Sequence, residues 1–338
     1  MFPQRRHSGT FSLCVMGILA VLGSGCQTHR SLGDRASAVP APPGVALIET
    51  NGVIRVEVDG QHFTDYRYQD VTRPYFYPIL GPGGVHMTRR WPQEEVSGEE
   101  RDHPHHHGLW WAHGEVNGVD FWSEGVKAGR TVHQGFSQLK SGTDRGVLTT
   151  RNEWRAKDGT VVATDERTMR FHRTPVDARL MDFEITVIAS HGDLVLGDTK
   201  EGSMSIRVPE SMRVKQPKDQ LGAGHLVSSR GASGAAVWGK RAEWCDYYGP
   251  VDGRTVGISM FDHPSNPRHP TWWHARDYGL FAANPFGLHD FEKKPKGEGD
   301  LRIPAGKSVT FRYRFLFHGG DTEQGRVAEQ WARYQKSP

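Results

Sequence analysis

Apolar and polar residues alternate with a period of two over long stretches of the chain. In VIRVEVDGQHF, Ile54, Val56 and Val58 fall on one side, Arg55 and Glu57 on the other, and Asp59-Gly60 follows as a hairpin-turn pair. In RLMDFEITVIAS, Met181, Phe183, Ile185 and Val187 alternate with Asp182, Glu184 and Thr186. In SVTFRYRFLFHGG, Val309, Phe311, Tyr313, Phe315 and Phe317 form one face. Met204, Ile206 and Val208 alternate in the same way with Ser205 and Arg207. Long strands with one wet face predict antiparallel sheets. Helical periodicity is nearly absent until the end of the chain, where Val327, Trp331 and Tyr334 share a face and Asp321 or Thr322 offers a cap. Forty glycines and twenty prolines suit the turns that so many strands need. The predicted architecture is all-β: one large antiparallel sandwich over residues 45–338 with a short C-terminal helix.

The beginning of the chain reads differently. Arg5, Arg6 and His7 precede an apolar run from Phe11 to Leu22, and small residues lead to Cys26. That is the pattern of an export signal over residues 1–25. The run is shorter than the ~20 residues that span a bilayer, so removal is expected rather than retention. LGSGC resembles a lipobox, which makes Cys26 the lipidation site and the membrane a partner through a lipid anchor only. Residues 26–44, rich in Ser, Ala, Pro and Gly, read as a flexible tether. The expected location is the periplasm or cell surface. Cys14 would leave with the signal and Cys26 would carry lipid, so Cys245 has no disulfide partner and is expected to be buried. A net charge of +3, spread along the chain, gives no nucleic-acid footprint.

Candidate chemistry concentrates in RDHPHHHGLWWAHGEVNGVDFW, which holds five of the eighteen histidines. Pro104 biases His103 toward an extended backbone. If that continues, His103, His105 and His107 share one face and His106 takes the other. His105 and His107, with His113 or Glu115 as the nearest local third ligand and Asp102 to orient one of them, would then suit a divalent metal. The same cluster beside carboxylates can instead supply a general acid and a general base without any cofactor. A third reading has some of the imidazoles only bonding turns around Gly108 and Gly114. Trp110 and Trp111 beside the histidines, and Trp272 and Trp273 beside His274, favour a ring-shaped polar ligand, with one of each pair expected at a pocket and the other in the core. Lys200, Glu201, Asp246, His274 and Asn284 lie in further polar stretches that can contribute.

The histidine run, with RPYFYPILGPGG before it and DTKEGSMSIRV, WCDYYG and WWHARDYGLFAANPFG after it, resembles bacterial proteins grouped as methane oxygenase PmoA-like, over roughly Gly44 to Gly319. The resemblance implies a galactose mutarotase-like supersandwich rather than oxygenase chemistry. It further implies His106 or His107 as acid, Glu201 as base, and His274 and Asp246 as grips on hydroxyls. The combined expectation is an exported carbohydrate-active protein with His106, His107, Glu201 and His274 as catalytic candidates. Trp110, Trp111, Lys200, Asp246, Trp273 and Asn284 are the substrate-binding candidates. Epimerisation or elimination leads and hydrolysis follows. The alternatives are a non-catalytic sugar-binding lipoprotein and a metal-dependent hydrolase or oxygenase.

Overall fold

Period-two burial runs through strand after strand of the computed structural model, which describes residues 43–337. The expected signal, the lipidation site Cys26 and nearly all of the tether lie outside the described residues. The chain opens with β1 (Val45–Thr50), β2 (Val53–Val58), β3 (Gln61–Arg67), β4 (Tyr75–Ile79) and β5 (Leu109–His113). Four long strands follow: β6 (Arg130–Lys140), β7 (Arg145–Arg155), β8 (Val161–His172) and β9 (Ala178–Ile188). Then come β10 (Leu194–Leu196), β11 (Gly202–Arg207), β12 (His225–Ser228), β13 (Trp244–Val251) and β14 (Arg254–Asp262). The last elements are β15 (Trp272–Ala275), β16 (Leu280–Asn284), α1 (Leu288–Glu292), β17 (Leu301–Ile303), β18 (Ser308–Gly319) and α2 (Val327–Tyr334).

Two antiparallel eight-stranded sheets result. The first runs β1-β2-β3-β4-β5-β11-β16-β15 and the second β12-β13-β14-β18-β9-β8-β7-β6, while β10 and β17 pair separately. Ile54, Val56 and Val58 point inward from the first sheet, and Met181, Phe183, Ile185 and Val187 from the second. Phe63 meets Phe317 at 5.7 Å between ring centroids, and Trp111 meets Trp154 at 5.2 Å, each pair spanning the two sheets. Burying such a ring contributes roughly 1.5–3 kcal/mol, so these contacts set how the sheets face each other. The all-β antiparallel sandwich with a C-terminal helix is therefore the observed fold. The Asp59-Gly60 hairpin forms, both residues having positive φ (51° and 73°). Cys245 is buried in the core, and burial pushes its thiol far up.

Two details depart from expectation. α2 packs Val327 and Tyr334 on Phe261 and Leu316, but it starts after Arg326. Asp321 instead bonds the N–H groups of Glu323 and Gln324 in a preceding turn, and Thr322 donates to Asp246. In β11 all six residues are buried, so Ser205 and Arg207 are not on a wet face. Loops cover the outer side of the first sheet at that point, and there the chemistry collects.

Candidate functional site

Strand register builds the floor of the site. Trp110 of β5 pairs with Ser205 of β11, Ser205 with Ala282 of β16, and Ala282 with His274 of β15. The row lies on the outer face, because the adjacent row of Trp111, Met204, Ala283 and Trp273 enters the core between the sheets. Ser and Ala in the middle leave a depression between an indole and an imidazole. Above it opens a cavity of about 480 Å³, within the roughly 300–1,000 Å³ of small-molecule sites. His103, His105 and His106 line it from the β4–β5 loop, Asp120, Trp122 and Ser123 from the β5–β6 loop, and Lys200 and Glu201 from the segment entering β11. His274, Arg276, Tyr278 and Leu280 complete it from β15 and the turn into β16. A larger hollow, of about 640 Å³ at Gly118–Asp158, has no histidine in its lining.

The histidine run is a turn, not an extended strand. The His106 N–H bonds the His103 carbonyl at 3.0 Å, with Pro104 second in the turn, where its fixed φ is favoured. His103 takes φ +42°, a left-handed conformation that a non-glycine residue adopts at a cost, of the kind found at functional sites. The turn corrects the expected faces: His103, His105 and His106 come together, and His107 is the one that leaves. His106 stacks on Trp110 at 5.2 Å, His103 on His106 at 4.7 Å, and Tyr278 on His103 at 5.3 Å, making a four-ring wall. Trp122 closes edge-on against His105 and His106.

Buried arginines fix this wall from behind. Arg207 donates to His106 Nδ1 at 3.3 Å and to both oxygens of Asp102 at 3.1 and 3.2 Å. Arg89 donates to Asp102 as well, and to the carbonyls of Asp102 and His103. A guanidinium only donates, so His106 Nδ1 is the acceptor and its proton sits on Nε2. Burial and the Arg207 charge hold the His106 pKa well below its ordinary value, and burial next to Arg207 brings Arg89 down to about 10. Arg73, also buried, donates to the carbonyls of His105, Trp122 and Ser123, tying two of the lining loops together. His105 has no hydrogen bond to its ring nitrogens among the described residues, and burial plus the Arg73 charge lowers it to about 4.

The opposite wall is equally prepared. His274 Nδ1 hydrogen-bonds the Lys200 carbonyl, which can only accept, so the free lone pair is on Nε2. Burial lowers His274 to about 3. Lys200 Nζ pairs with Glu201, and both remain partly open to solvent. Tyr278 contributes a phenol whose pKa burial raises, leaving it a proton donor. The cavity thus joins neutral imidazoles that accept, a phenol that donates, and a carboxylate, within one space.

Several expected participants lie elsewhere. His107 spends both ring nitrogens, on Gln93 at 2.5 Å and Glu124 at 2.8 Å, and stacks on Tyr75. The catalytic assignment of His107 is therefore corrected. Glu115 pairs with Lys296 at 2.9 Å, so His105, His107 and Glu115 do not converge as a metal set. Among the described residues no group of three or more His, Cys, Asp or Glu side chains is placed so that it could hold a metal ion. Trp111 and Trp273 point into the inter-sheet core and cannot touch a ligand in the cavity. Trp110 lies beneath the wall and supports it by stacking. Asp246 belongs to β13 in the second sheet, where Ser259, Thr322 and His318 occupy it. Asn284 is spent on holding loops: it donates to the carbonyls of Thr199 and Lys200 and accepts from Phe286 and Gly287. It positions Lys200 rather than binding substrate. His106, Glu201, His274 and Lys200 are brought to the cavity.

Sequence reasoning passed over Arg73, Arg89, Arg207, Tyr278 and Trp122. One signal was present for Arg207: a charge on a strand face otherwise filled by the small residues Ser203 and Ser205. Arg73 and Arg89 carry no local signal, because their partners are backbone carbonyls and carboxylates of distant loops.

Among solved structures the chain is similar to an alpha-galactosidase from Lactobacillus brevis, at 9% identity and TM-score 0.41 over 86% of this chain. It spans only 41% of that enzyme's length. It is similar also to a galactose mutarotase related enzyme from Lactobacillus acidophilus, at 8% identity and TM-score 0.29, covering 81% of this chain and 97% of the other. An aldose epimerase homologue from C. elegans gives 7% identity and TM-score 0.29, covering 82% and 99%. No curated protein sequence matches the chain. The profile of DUF6807, a family of unknown function, matches residues 53–332, and the chain belongs to that family.

Proposed function

We propose that the cavity on the outer face of the first sheet binds a sugar and moves protons on it, in a protein exported to the periplasm or cell surface. The observation that carries this reading is the meeting of His105, His274 and Glu201 around one cavity walled by Trp122 and the His103–Tyr278 stack. Flat ring faces suit the C–H face of a pyranose, and neutral imidazoles suit its hydroxyl rim. His105 and the Nε2 of His274 are the proton acceptors, Glu201 is the carboxylate, and Tyr278 is the donor. They arrive from the β4–β5 loop, the segment entering β11, strand β15 and the turn after it, a convergence that a surface serving only packing does not require. Such transfers produce anomer interconversion when they act on oxygen and C–H exchange when they act at an acidified carbon.

The test is an NMR time course of a sugar panel in D2O with purified protein. Acceleration of anomer interconversion or of C–H exchange is expected for the wild type, with a loss of about 100-fold in His105→Ala and Glu201→Gln. A wild type that binds sugar but accelerates neither process would leave a binding protein and end the catalytic reading.

A further inference from the structure

We propose that the sugar carries a carboxylate, and that Arg276 is the group that pairs with it. This rests on the reading of the cavity as a sugar site and narrows its substrate class. Arg276 lines the cavity, and its guanidinium makes no ion pair or side-chain hydrogen bond among the described residues. Tyr278 and Trp238 hold it, each ring centroid 5.5 Å from the guanidinium carbon. Stacking fixes the plane of the fork without using its N–H groups. Its backbone is fixed too: the Arg276 N–H bonds the Leu280 carbonyl at 2.7 Å, and its own carbonyl accepts from Gly279 at 3.0 Å and from the Tyr247 hydroxyl at 3.3 Å.

The carboxylates that line the cavity are already answered. Lys200 holds Glu201. The Trp122 and Ser123 N–H groups and the Ser123 hydroxyl hold Asp120. Behind the wall, Asp102 pairs with the two buried guanidiniums of Arg89 and Arg207. Arg276 is therefore the lining cation left without a paired carboxylate, and Lys293, 6.0 Å over the same Trp238 ring, adds positive charge near it. A preorganised cation without a counter-charge is the arrangement that a ligand anion completes. A planar fork matches the two oxygens of a carboxylate, and the ring-lined volume of about 480 Å³ is much larger than a bare anion needs. The lowered pKa values of His105 and His274 keep both imidazoles neutral, so they add no competing cation.

Isothermal titration of the full chain tests this with matched pairs, glucuronate against glucose and galacturonate against galactose, with acetate as an anion lacking a sugar. In at least one pair the acid is expected to bind about 10-fold or more tightly than its neutral partner. Arg276→Gln should reduce that preference to within about 2-fold and Arg276→Lys should keep part of it, with thermal midpoints confirming that both variants fold. Equal affinities within both pairs, a preference that survives Arg276→Gln, or acetate binding as tightly as the uronates overturns the proposal. If neutral sugars bind and acids bind no better, only this inference falls. If no sugar of either kind binds, the sugar-site reading falls with it.

Discussion

Two of the buried arginine–carboxylate clusters of this molecule differ in what surrounds them. Between the sheets, Arg167 donates to both oxygens of Asp165, and Asn152 and Trp154 take the remaining positions on the carboxylate at 2.6 Å each. Both side chains are 1% exposed or less. On the outer face, Arg89 and Arg207 are equally buried, but their shared Asp102 is 29% exposed and its neighbours are the imidazoles of the cavity wall. The first cluster is closed and matched in charge. The second is open toward the cavity and carries two cations on one anion. Burial of charge alone does not mark a site; burial with an unanswered remainder does.

The sharpest way to break this contrast is to cut each cluster once and compare. Arg167→Met leaves a carboxylate with no cation inside the sandwich and should lower stability by about 3–5 kcal/mol, read by denaturant unfolding. Replacing both partners by apolar residues should recover most of that loss, while affinity in the cavity stays within about 2-fold of wild type. Asp102→Asn should cost less stability, about 1–3 kcal/mol, because water reaches its carboxylate. It should nevertheless abolish sugar binding, because the His103–His106 turn loses its anchor to Arg89 and Arg207. Equal stability losses in the two variants with binding intact in both would erase the distinction.

A milder cut uses pH. Burial pushes the Glu124 carboxyl up, but the His107 hydrogen bond and the Arg73 charge outweigh it and hold the group at about 2. A depressed acid stabilises the fold above its unfolded value, near 4.5, and that contribution is lost as pH falls toward 2. On the order of 2 kcal/mol should disappear across that window. Glu124→Gln should flatten the profile there, and a wild-type profile already flat between pH 4.5 and 2 would refute the assignment.

What the sequence told and withheld follows the same division. β2, β9 and β18 were legible because one face of each meets the other sheet and period two records that alone. β11 was misread for the converse reason: Ser205 and Arg207 alternate like solvent-facing residues, yet loops from distant parts of the chain bury them. The histidine run was legible as chemistry but not as geometry, since Pro104 serves an extended chain and the second position of a turn equally well. The tryptophan pairs revealed that one ring of each faces inward, but only register with β11 and β16 decides that Trp111 and Trp273 are those. Asp246 sits close to Trp244 in sequence and in the opposite sheet from the cavity. Partners supplied by topology leave no trace in a local pattern.

The smallest expected change in stability belongs to His105, and that makes it the cleanest probe of the open cluster. Its ring nitrogens have no protein partner among the described residues, so truncation strands no buried group. His105→Ala should therefore shift unfolding by no more than about 0.5 kcal/mol. Burial beside Arg73 holds its pKa at about 4, so the ring is neutral and able to accept a proton throughout the neutral range. The pH dependence of turnover in the wild type should then show an acidic limb that comes from the cavity imidazoles, and in His105→Ala that limb should change position as the rate falls. His106→Ala supplies the contrast, because it removes the middle of the four-ring wall and takes away the imidazole acceptor of Arg207 Nη1. It should lose stability and function together. A His105→Ala protein that unfolds as readily as His106→Ala would show that the imidazole holds the wall in place, and the role of proton acceptor would pass to His274 alone.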